Sequence, residues 1–168
     1  MPRPLWSDFY REYPDYVSYD SPTVKKNIGG AVDADWVTYT CAIRMSRGLN
    51  YSKLPVPAAF SGMHTIKGGD GKHYAFRVRE LRLWLPKATA LGAPDFEITK
   101  KQGVEFDKTT LKDMKGIIAF DIHFSDASGH FDQWDGTQFS HESGKSNDFG
   151  DAGRYWAVAT RISLWSLK

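Results

Sequence analysis

The spacing of apolar residues changes from a helical to a strand pattern along this chain, and that change limits the fold class. Cys41, Met45 and Leu49 recur at helical spacing in the first half. The run at 116–124, Gly-Ile-Ile-Ala-Phe-Asp-Ile-His-Phe, is typical of a buried strand. Helices that precede an antiparallel sheet predict an α+β fold, with N-terminal helices packed on a C-terminal sheet.

The same patterns predict the bounds of the individual elements. Ser7 is a candidate cap for a first short helix that Pro14 ends, and Gly48 and Pro86 mark the ends of the next two helices. The predicted helices span 8–13, 40–47 and 74–85, and the predicted strands span 116–124, 129–134, 137–141 and 155–165. Two segments rich in turn-forming residues, 51–70 and 143–153, are predicted to be loops.

Composition and charge exclude several classes of protein. With 168 residues, of which 41% are hydrophobic and 25% charged, the chain is expected to form one folded domain over residues 1–168. Its 22 basic and 20 acidic residues include no dense basic run, so no nucleic-acid partner is expected. No apolar segment approaches the roughly 20 residues that span a bilayer. The N-terminus also lacks the layout of a signal peptide, so neither membrane insertion nor export by the general secretory route is expected.

Cys41 is the only cysteine of the chain, so no internal disulfide forms and the thiol is free unless it pairs between chains. A free cysteine is most often a small buried hydrophobic residue. At the predicted start of a helix, however, the positive end of the helix dipole stabilises the thiolate, which is the nucleophilic form. Cys41 is therefore a candidate nucleophile if the fold brings a histidine to it.

A predicted hairpin downstream carries the candidate histidine. Asp135-Gly136 is a dipeptide preferred by the two-residue type I′ turn, which would place His130 opposite His141 on one face of the sheet. Asp132 would lie on that face, two residues along. We therefore predict that His130 is the base and that His141 or Asp132 orients its ring, with Asp135 as a further candidate.

Cys41 and His130 together predict a cysteine hydrolase. The imidazole would take the thiol proton, the thiolate would attack an acyl carbon, and the imidazole would then protonate the leaving group. The backbone N–H of Cys41 is the expected oxyanion donor. A nucleophile on an early helix and a base on a later sheet resemble the arrangement of roles in papain-like hydrolases.

Five short blocks of the chain occur in the order in which a known bacterial family carries them. The blocks are 28–30, 40–46, 74–78, 115–118 and 129–136. In these blocks the chain resembles the type VI secretion amidase effectors of the fourth family, which are small papain-like peptidoglycan amidases. The resemblance spans most of the chain.

The resemblance implies a site and a substrate. Cys41 would be the nucleophile and His130 the general base and acid, acting on the amide between D-Glu and meso-diaminopimelate in cell-wall stem peptides. The family's third position lies eleven residues beyond the histidine and is usually Asp, but here it is His141, so Asp132 stays an alternative third member. Arg44 and Trp134 are candidate substrate contacts. No cofactor or metal is implied.

The resemblance also implies a route and a protein partner. Type VI machinery would carry the protein from the cytoplasm of the producing cell into the periplasm of a neighbouring cell. Such delivery would account for the missing signal peptide. A cognate immunity protein that blocks the cleft is the expected partner, beside the peptidoglycan stem peptides.

The residues alone are also compatible with two other functions. A zinc-dependent hydrolase would use His123, His130, His141 and Asp132 as ligands, although no His-Glu-x-x-His or paired-cysteine spacing supports it. A non-catalytic cell-wall binding module would instead use the aromatic surplus as a binding surface. The tryptophans available for such a surface are Trp6, Trp36, Trp84, Trp134, Trp156 and Trp165.

Overall fold

The computed structural model describes residues 2–125, 127–142 and 152–168 of the chain. Of the predicted loop 143–153, residues 143–151 lie outside this part. The helices α1 to α5 span Trp6–Glu12, Ser21–Ile28, Cys41–Tyr51, Val78–Trp84 and Tyr155–Val158. The strands β1 to β6 span Thr65–Lys67, His73–Ala75, Phe96–Thr99, Gly116–Asp121, Gly129–Trp134 and Arg161–Ser166.

The strands form a small antiparallel pair, β1 with β2, and a larger antiparallel sheet with the order β3-β6-β4-β5. β5 is thus an edge strand of the larger sheet, and α3 packs against it. The prediction of an α+β fold with early helices on a C-terminal antiparallel sheet is confirmed. Among the described residues, no helix combines the length and the apolar character that crossing a bilayer requires.

α3 extends beyond its predicted end. The sequence predicts Gly48 at the C-terminus of this helix, but Gly48 lies inside it and is buried. A Cβ at this position would come within 2.7 Å of the Phe9 ring. The glycine therefore permits α1 to pack closely on α3, and the helix continues to Tyr51.

Two separate hydrophobic clusters hold α3. Met45 and Leu49 belong to the cluster that contains Phe131 of β5, whereas Ile43 packs with Tyr74 of β2. A helix that is close-packed against two clusters cannot shift without opening one of them. Its first residue, Cys41, is consequently held in a fixed position relative to β5.

The predicted two-residue hairpin after β5 is wrong. Trp134 pairs with Phe139, and the N–H of Asp135 donates to the carbonyl of Gln138 at 3.2 Å, so the turn has four residues. The Asp135 side chain accepts the N–H of Gln138 at 2.9 Å, and this hydrogen bond stabilises the turn. Gly136 has φ +100°, but Asp135 lacks the positive φ that a type I′ turn needs at both central residues.

Other predicted bounds are wrong because short-range periodicity does not separate a short helix from an adjoining strand. The predicted helix 74–85 is β2 followed by α4, and the predicted strand 155–165 is α5 followed by β6. α2, β1 and β3 are not among the elements predicted from the sequence. The sequence does carry a signal for the start of α2, since Asp is a preferred N-cap residue. In the structure Asp20 caps this helix by accepting the N–H of Thr23 at 2.9 Å.

The turn after α2 brings two stretches of backbone into contact. Gly30 has φ +60°, and a Cβ there would lie 2.6 to 2.8 Å from backbone atoms of Lys67, Gly68 and Gly69. The N–H of Gly69 also donates to the carbonyl of Ile28 at 3.0 Å. Since backbone cannot rotate away as a side chain can, this contact requires glycine and joins the end of α2 to the loop between β1 and β2.

We expect Gly30→Ala to lower the free energy of unfolding by about 3 kcal/mol or more, because it combines left-handed strain with overpacking. Gly71→Ala is the matched control, since Gly71 has φ +79° and no atom lies within 4 Å of its Cβ position. The control should lose only about 1–2 kcal/mol, from strain alone. Urea denaturation measures both values, and equal losses would contradict the steric role of Gly30.

Candidate active site

His130 and Asp132 form a buried pair on β5. Side chains two residues apart on a strand point to the same face, and Nε2 of His130 lies 2.9 Å from Oδ2 of Asp132. Both side chains are 0% exposed. Because an ionised carboxylate can only accept, Nε2 carries the proton of this bond, and Nδ1 is then the basic nitrogen of the neutral ring.

Asp132 accepts four hydrogen bonds although it is fully buried. Besides the His130 ring, its donors are the Tyr13 hydroxyl at 2.9 Å and the backbone N–H groups of Gln133 and His141, each at 2.8 Å. An uncompensated buried carboxylate costs several kcal/mol, and four donors shared between its two oxygens offset that cost. The carboxylate is therefore fixed in position, and it fixes the plane of the His130 ring.

Tyr13 is a donor that the sequence analysis missed. Burial and then the neighbouring Asp132 charge raise the pKa of the Tyr13 phenol well above its usual value, so the hydroxyl stays protonated and donates. The two residues are 119 positions apart in the chain, beyond the reach of any local pattern. The only signal is the aromatic-rich composition of the first twenty or so residues.

His141 supports the pair with its backbone. It lies in the 3₁₀ turn Ser140–Glu142 and not on a strand, so the predicted cross-strand pairing with His130 is wrong. The His141 ring stacks on Tyr16 with 4.3 Å between centroids, and its centroid lies 5.2 Å from that of His130. Asp132 and His141, the two candidates for orienting the His130 ring, thus both lie beside it. The side chain that binds Nε2 of His130 is that of Asp132.

Cys41 is the first residue of α3 and is 2% exposed. Thr40 occupies the N-cap position, but its side chain does not cap the helix. The Thr40 hydroxyl instead accepts a hydrogen bond from Nε of Arg44 at 2.9 Å. The positive end of the α3 dipole, next to the sulfur, is therefore not neutralised by a Thr40 cap.

Cys41 borders a cavity of about 610 Å³. Ala127 and Ser128, which lead into β5, form part of its wall. The other lining residues are Trp36, Val37, Thr38, Tyr39, Phe76, Arg77, Val78 and Arg79. The cavity reaches the beginnings of the two elements that carry Cys41 and His130, and its volume suits a small peptide.

Arg44 is buried, so the prediction that it contacts substrate is wrong. It is 0% exposed, and Nη1 donates to the carbonyls of Pro14, Asp15 and Tyr19 at 2.9 to 3.0 Å. Its guanidinium carbon lies 3.7 Å from the centre of the Tyr16 ring. Arg44 therefore joins the segment between α1 and α2 to the N-terminal part of α3. Tyr16, in the same segment, contacts the rings of His130 and His141.

Trp134 is also unavailable to a substrate, contrary to the prediction. It is 0% exposed, and its indole N–H donates to a backbone carbonyl at 3.0 Å. Trp84, Trp156 and Trp165 are buried too, whereas Trp36 is 57% exposed. Among the described residues, most of the tryptophans thus belong to the core, and the six do not form a continuous exposed surface.

The zinc alternative requires His123, His130 and His141 to converge. His123 is exposed, whereas the other two are buried. Within residues 2–125, 127–142 and 152–168, no three His, Cys, Asp or Glu side chains are grouped so that they could hold a metal ion. The described geometry therefore offers no zinc ligand set.

Comparisons with known proteins agree with the resemblance. A family model described as type VI secretion system amidase effector protein 4 (Tae4) matches residues 37–165. No curated protein matches the chain. The family inferred from the five sequence blocks is confirmed.

Solved structures of effectors of that name are similar over nearly the whole chain. Tae4 of Enterobacter cloacae, in its complex with Tai4, is 31% identical with a TM-score of 0.80, and the match covers 99% of each chain. Tae4 of the same organism alone is 30% identical with a TM-score of 0.78, over 100% of each chain. Tae4 of Salmonella typhimurium, bound to the Enterobacter Tai4, is 25% identical with a TM-score of 0.79, over 99% of this chain and 100% of that one.

We expect Arg44→Lys to lower the free energy of unfolding by about 2–4 kcal/mol, although the charge is kept. A lysine ammonium cannot reach three carbonyls and a hydroxyl with the geometry of a guanidinium, so buried acceptors lose their donors. Arg79→Lys, at an exposed arginine, is the control and should change stability by less than about 0.5 kcal/mol. Chemical denaturation compares the two, and a loss at Arg44 no larger than at Arg79 would contradict the structural role.

Proposed function

This chain belongs to the type VI secretion amidase effector protein 4 family, and we propose that it is a cysteine amidase that cuts the D-Glu–meso-diaminopimelate amide of stem peptides. As a member of the family it is a hydrolase that acts on peptidoglycan. It is an effector secreted by the type VI machinery into the periplasm of a target cell. The bond cleaved and the catalytic residues are the proposed part.

One observation carries the proposal. A buried carboxylate holds Nε2 of His130 on the strand against which α3 packs, and α3 begins with the only thiol of the chain. This arrangement supports Cys41 as the nucleophile and His130 as the base that activates it. The cavity beside Cys41 supplies room for a peptide.

The proposed reaction begins with a proton transfer. Because Nε2 of His130 is bonded to Asp132, Nδ1 takes the proton from the sulfur of Cys41. The thiolate attacks the amide carbon and forms a tetrahedral oxyanion, for which the backbone N–H of Cys41 at the start of α3 is the proposed donor. The intermediate collapses when Nδ1–H protonates the departing amine of diaminopimelate, and a thioester of D-Glu stays on the sulfur.

Hydrolysis of the thioester completes the cycle. Nδ1 deprotonates a water molecule, which attacks the thioester carbon. The carbon–sulfur bond breaks, Nδ1–H returns its proton to the departing thiolate, and the released D-Glu carboxyl group ionises by losing its proton to solvent. Nε2 keeps its hydrogen bond to Asp132 throughout, so the carboxylate stabilises the imidazolium each time Nδ1 is protonated.

We assign the third position to Asp132 and give His141 a supporting part. The 2.9 Å contact between Asp132 and Nε2 supports this choice, since an orienting group has to bind the nitrogen that faces away from the nucleophile. His141 adds a backbone donor to the same carboxylate and stacks on Tyr16.

A cognate immunity protein is the proposed protein partner. Relatives of this chain were solved in complex with Tai4. We also propose that residues 1–168 form a single amidase domain. Contacts between the two termini support this: the N–H of Trp6 donates to the carbonyl of Lys168 at 2.6 Å, and Arg3 donates to the carbonyl of Ser166 at 3.1 Å.

Digestion of purified disaccharide tetrapeptides, followed by mass spectrometry, tests the proposal. The wild type should release products cut at the D-Glu amide, whereas Cys41→Ala and Cys41→Ser should be slower by about 10³-fold or more. The second variant replaces the thiol with a hydroxyl of similar size, so it separates loss of the thiolate from loss of packing. A chelator should leave the wild-type rate unchanged.

Equal release by the wild type and both variants would refute the cysteine mechanism. Loss of activity on chelation would favour a metal-dependent hydrolase. Cleavage at another bond, with dependence on Cys41 retained, would refute the assigned specificity alone.

A further inference from the structure

The described lining of the cavity beside Cys41 has an uneven charge. Arg77 and Arg79 line it, and no Asp or Glu is among the described lining residues. The whole chain, in contrast, carries 22 basic and 20 acidic residues. A cationic wall in a concave site raises the local concentration of anionic ligands.

The two arginines differ in how they are engaged. Nη1 of Arg77 lies 2.9 Å from Oε1 of Glu80, and its guanidinium carbon lies 4.9 Å from the centre of the Phe76 ring. The Arg77 charge is thus partly balanced by the Glu80 carboxylate. Arg79 is exposed, and its side chain makes no hydrogen bond or ion pair with any residue in the described ranges.

An aromatic pair forms another part of the same wall. Trp36 is 57% exposed, and its ring meets the Phe76 ring edge-on with 5.2 Å between centroids. The other five tryptophans, all within the described ranges, are buried or half-buried, so an exposed tryptophan at the cavity is unusual here. Such a surface suits the methylene chains of a ligand whose ends are charged.

The substrate of the proposed function has this chemistry. D-Glu forms the scissile amide through its γ-carboxyl and keeps a free α-carboxylate, and diaminopimelate keeps a free carboxylate at the far end of its side chain. Each is joined to the scissile amide by a short aliphatic chain. A guanidinium forms short, charge-assisted bidentate bonds with such a carboxylate.

We propose that Arg79 is a specificity-determining residue that binds a stem-peptide carboxylate next to the scissile amide. Trp36 and Phe76 line the path of the aliphatic chain that bears this carboxylate, and Arg77, held by Glu80, contributes positive potential. The inference rests on the proposed function, because it takes the stem peptide as the ligand of the cavity. It replaces Arg44, which is buried, as the candidate for carboxylate recognition.

Steady-state kinetics on three substrates test the proposal. These are the disaccharide tetrapeptide, its analogue with the D-Glu α-carboxylate converted to a carboxamide, and its analogue with the free diaminopimelate carboxylate converted likewise. The enzymes are wild type, Arg79→Ala, Arg79→Lys and the control Arg11→Ala. Arg11 is 65% exposed and borders a different cavity, so the control removes the same charge elsewhere.

We expect Arg79→Ala to lower kcat/KM on the unmodified substrate by about 10- to 100-fold, and Arg79→Lys to lower it less. On the analogue that lacks the recognised carboxylate, wild type and Arg79→Ala should be equal within about twofold. That analogue identifies which of the two carboxylates Arg79 binds. Arg11→Ala should match the wild type on all three substrates.

Two results would overturn the inference while leaving the proposed function intact. One is a kcat/KM of Arg79→Ala within about twofold of wild type on every substrate. The other is an equal loss on all three substrates, which would indicate a general effect on the fold or on catalysis. If the wild type cuts none of them, the proposed function and this inference both fail.

Discussion

The proposed catalytic geometry depends on one buried carboxylate. Asp132 is 0% exposed, and four donors from separate parts of the chain meet at its two oxygens. These donors come from the segment after α1, from β5 itself and from the turn that holds His141. Removal of any one leaves a buried charge less well compensated, which is among the more costly changes that a core can undergo. The same four bonds fix the ring that the proposed mechanism requires.

A second buried charge, that of Arg44, holds in place the segment that contains Tyr13, one of these donors. Arg44 lies one turn after Cys41 and bonds three carbonyls of the segment between α1 and α2. That segment carries Tyr13, which donates to Asp132, and Tyr16, which stacks on His141. Helix α3 therefore does more than present the thiol. Through Arg44 it also positions the segment that supports His130, so residues of the core hold the proposed catalytic residues in place.

Part of this arrangement follows from local sequence rules and part does not. The alternation of a strand is enough to put His130 and Asp132 on one face, and helical spacing is enough to place Cys41 at the start of α3. The pairing of His130 with His141 fails because the Asp135 side chain bonds the backbone of its own turn and makes a four-residue connection. Tyr13 was missed because Asp132 lies 119 positions away, and Arg44 was misassigned because the three carbonyls that it binds lie 25 to 30 positions away. Neither hydrophobic periodicity nor turn propensity predicts such long-range contacts.

The pH dependence of Cys41 alkylation by iodoacetamide is the most direct test of a thiolate that is stabilised by the His130–Asp132 pair, since the chain contains no other cysteine to react. If this pair stabilises the thiolate, the wild type should react well below the pH at which an ordinary thiol, with a pKa of about 8.5, ionises. Asp132→Asn should move the midpoint upward toward that value, because the imidazolium that stabilises the thiolate loses its carboxylate. His141→Phe, which keeps the backbone donor and an aromatic ring, should leave the midpoint near that of wild type. An unchanged profile for Asp132→Asn together with an upward shift for His141→Phe would mean that His141, and not Asp132, supports the imidazolium.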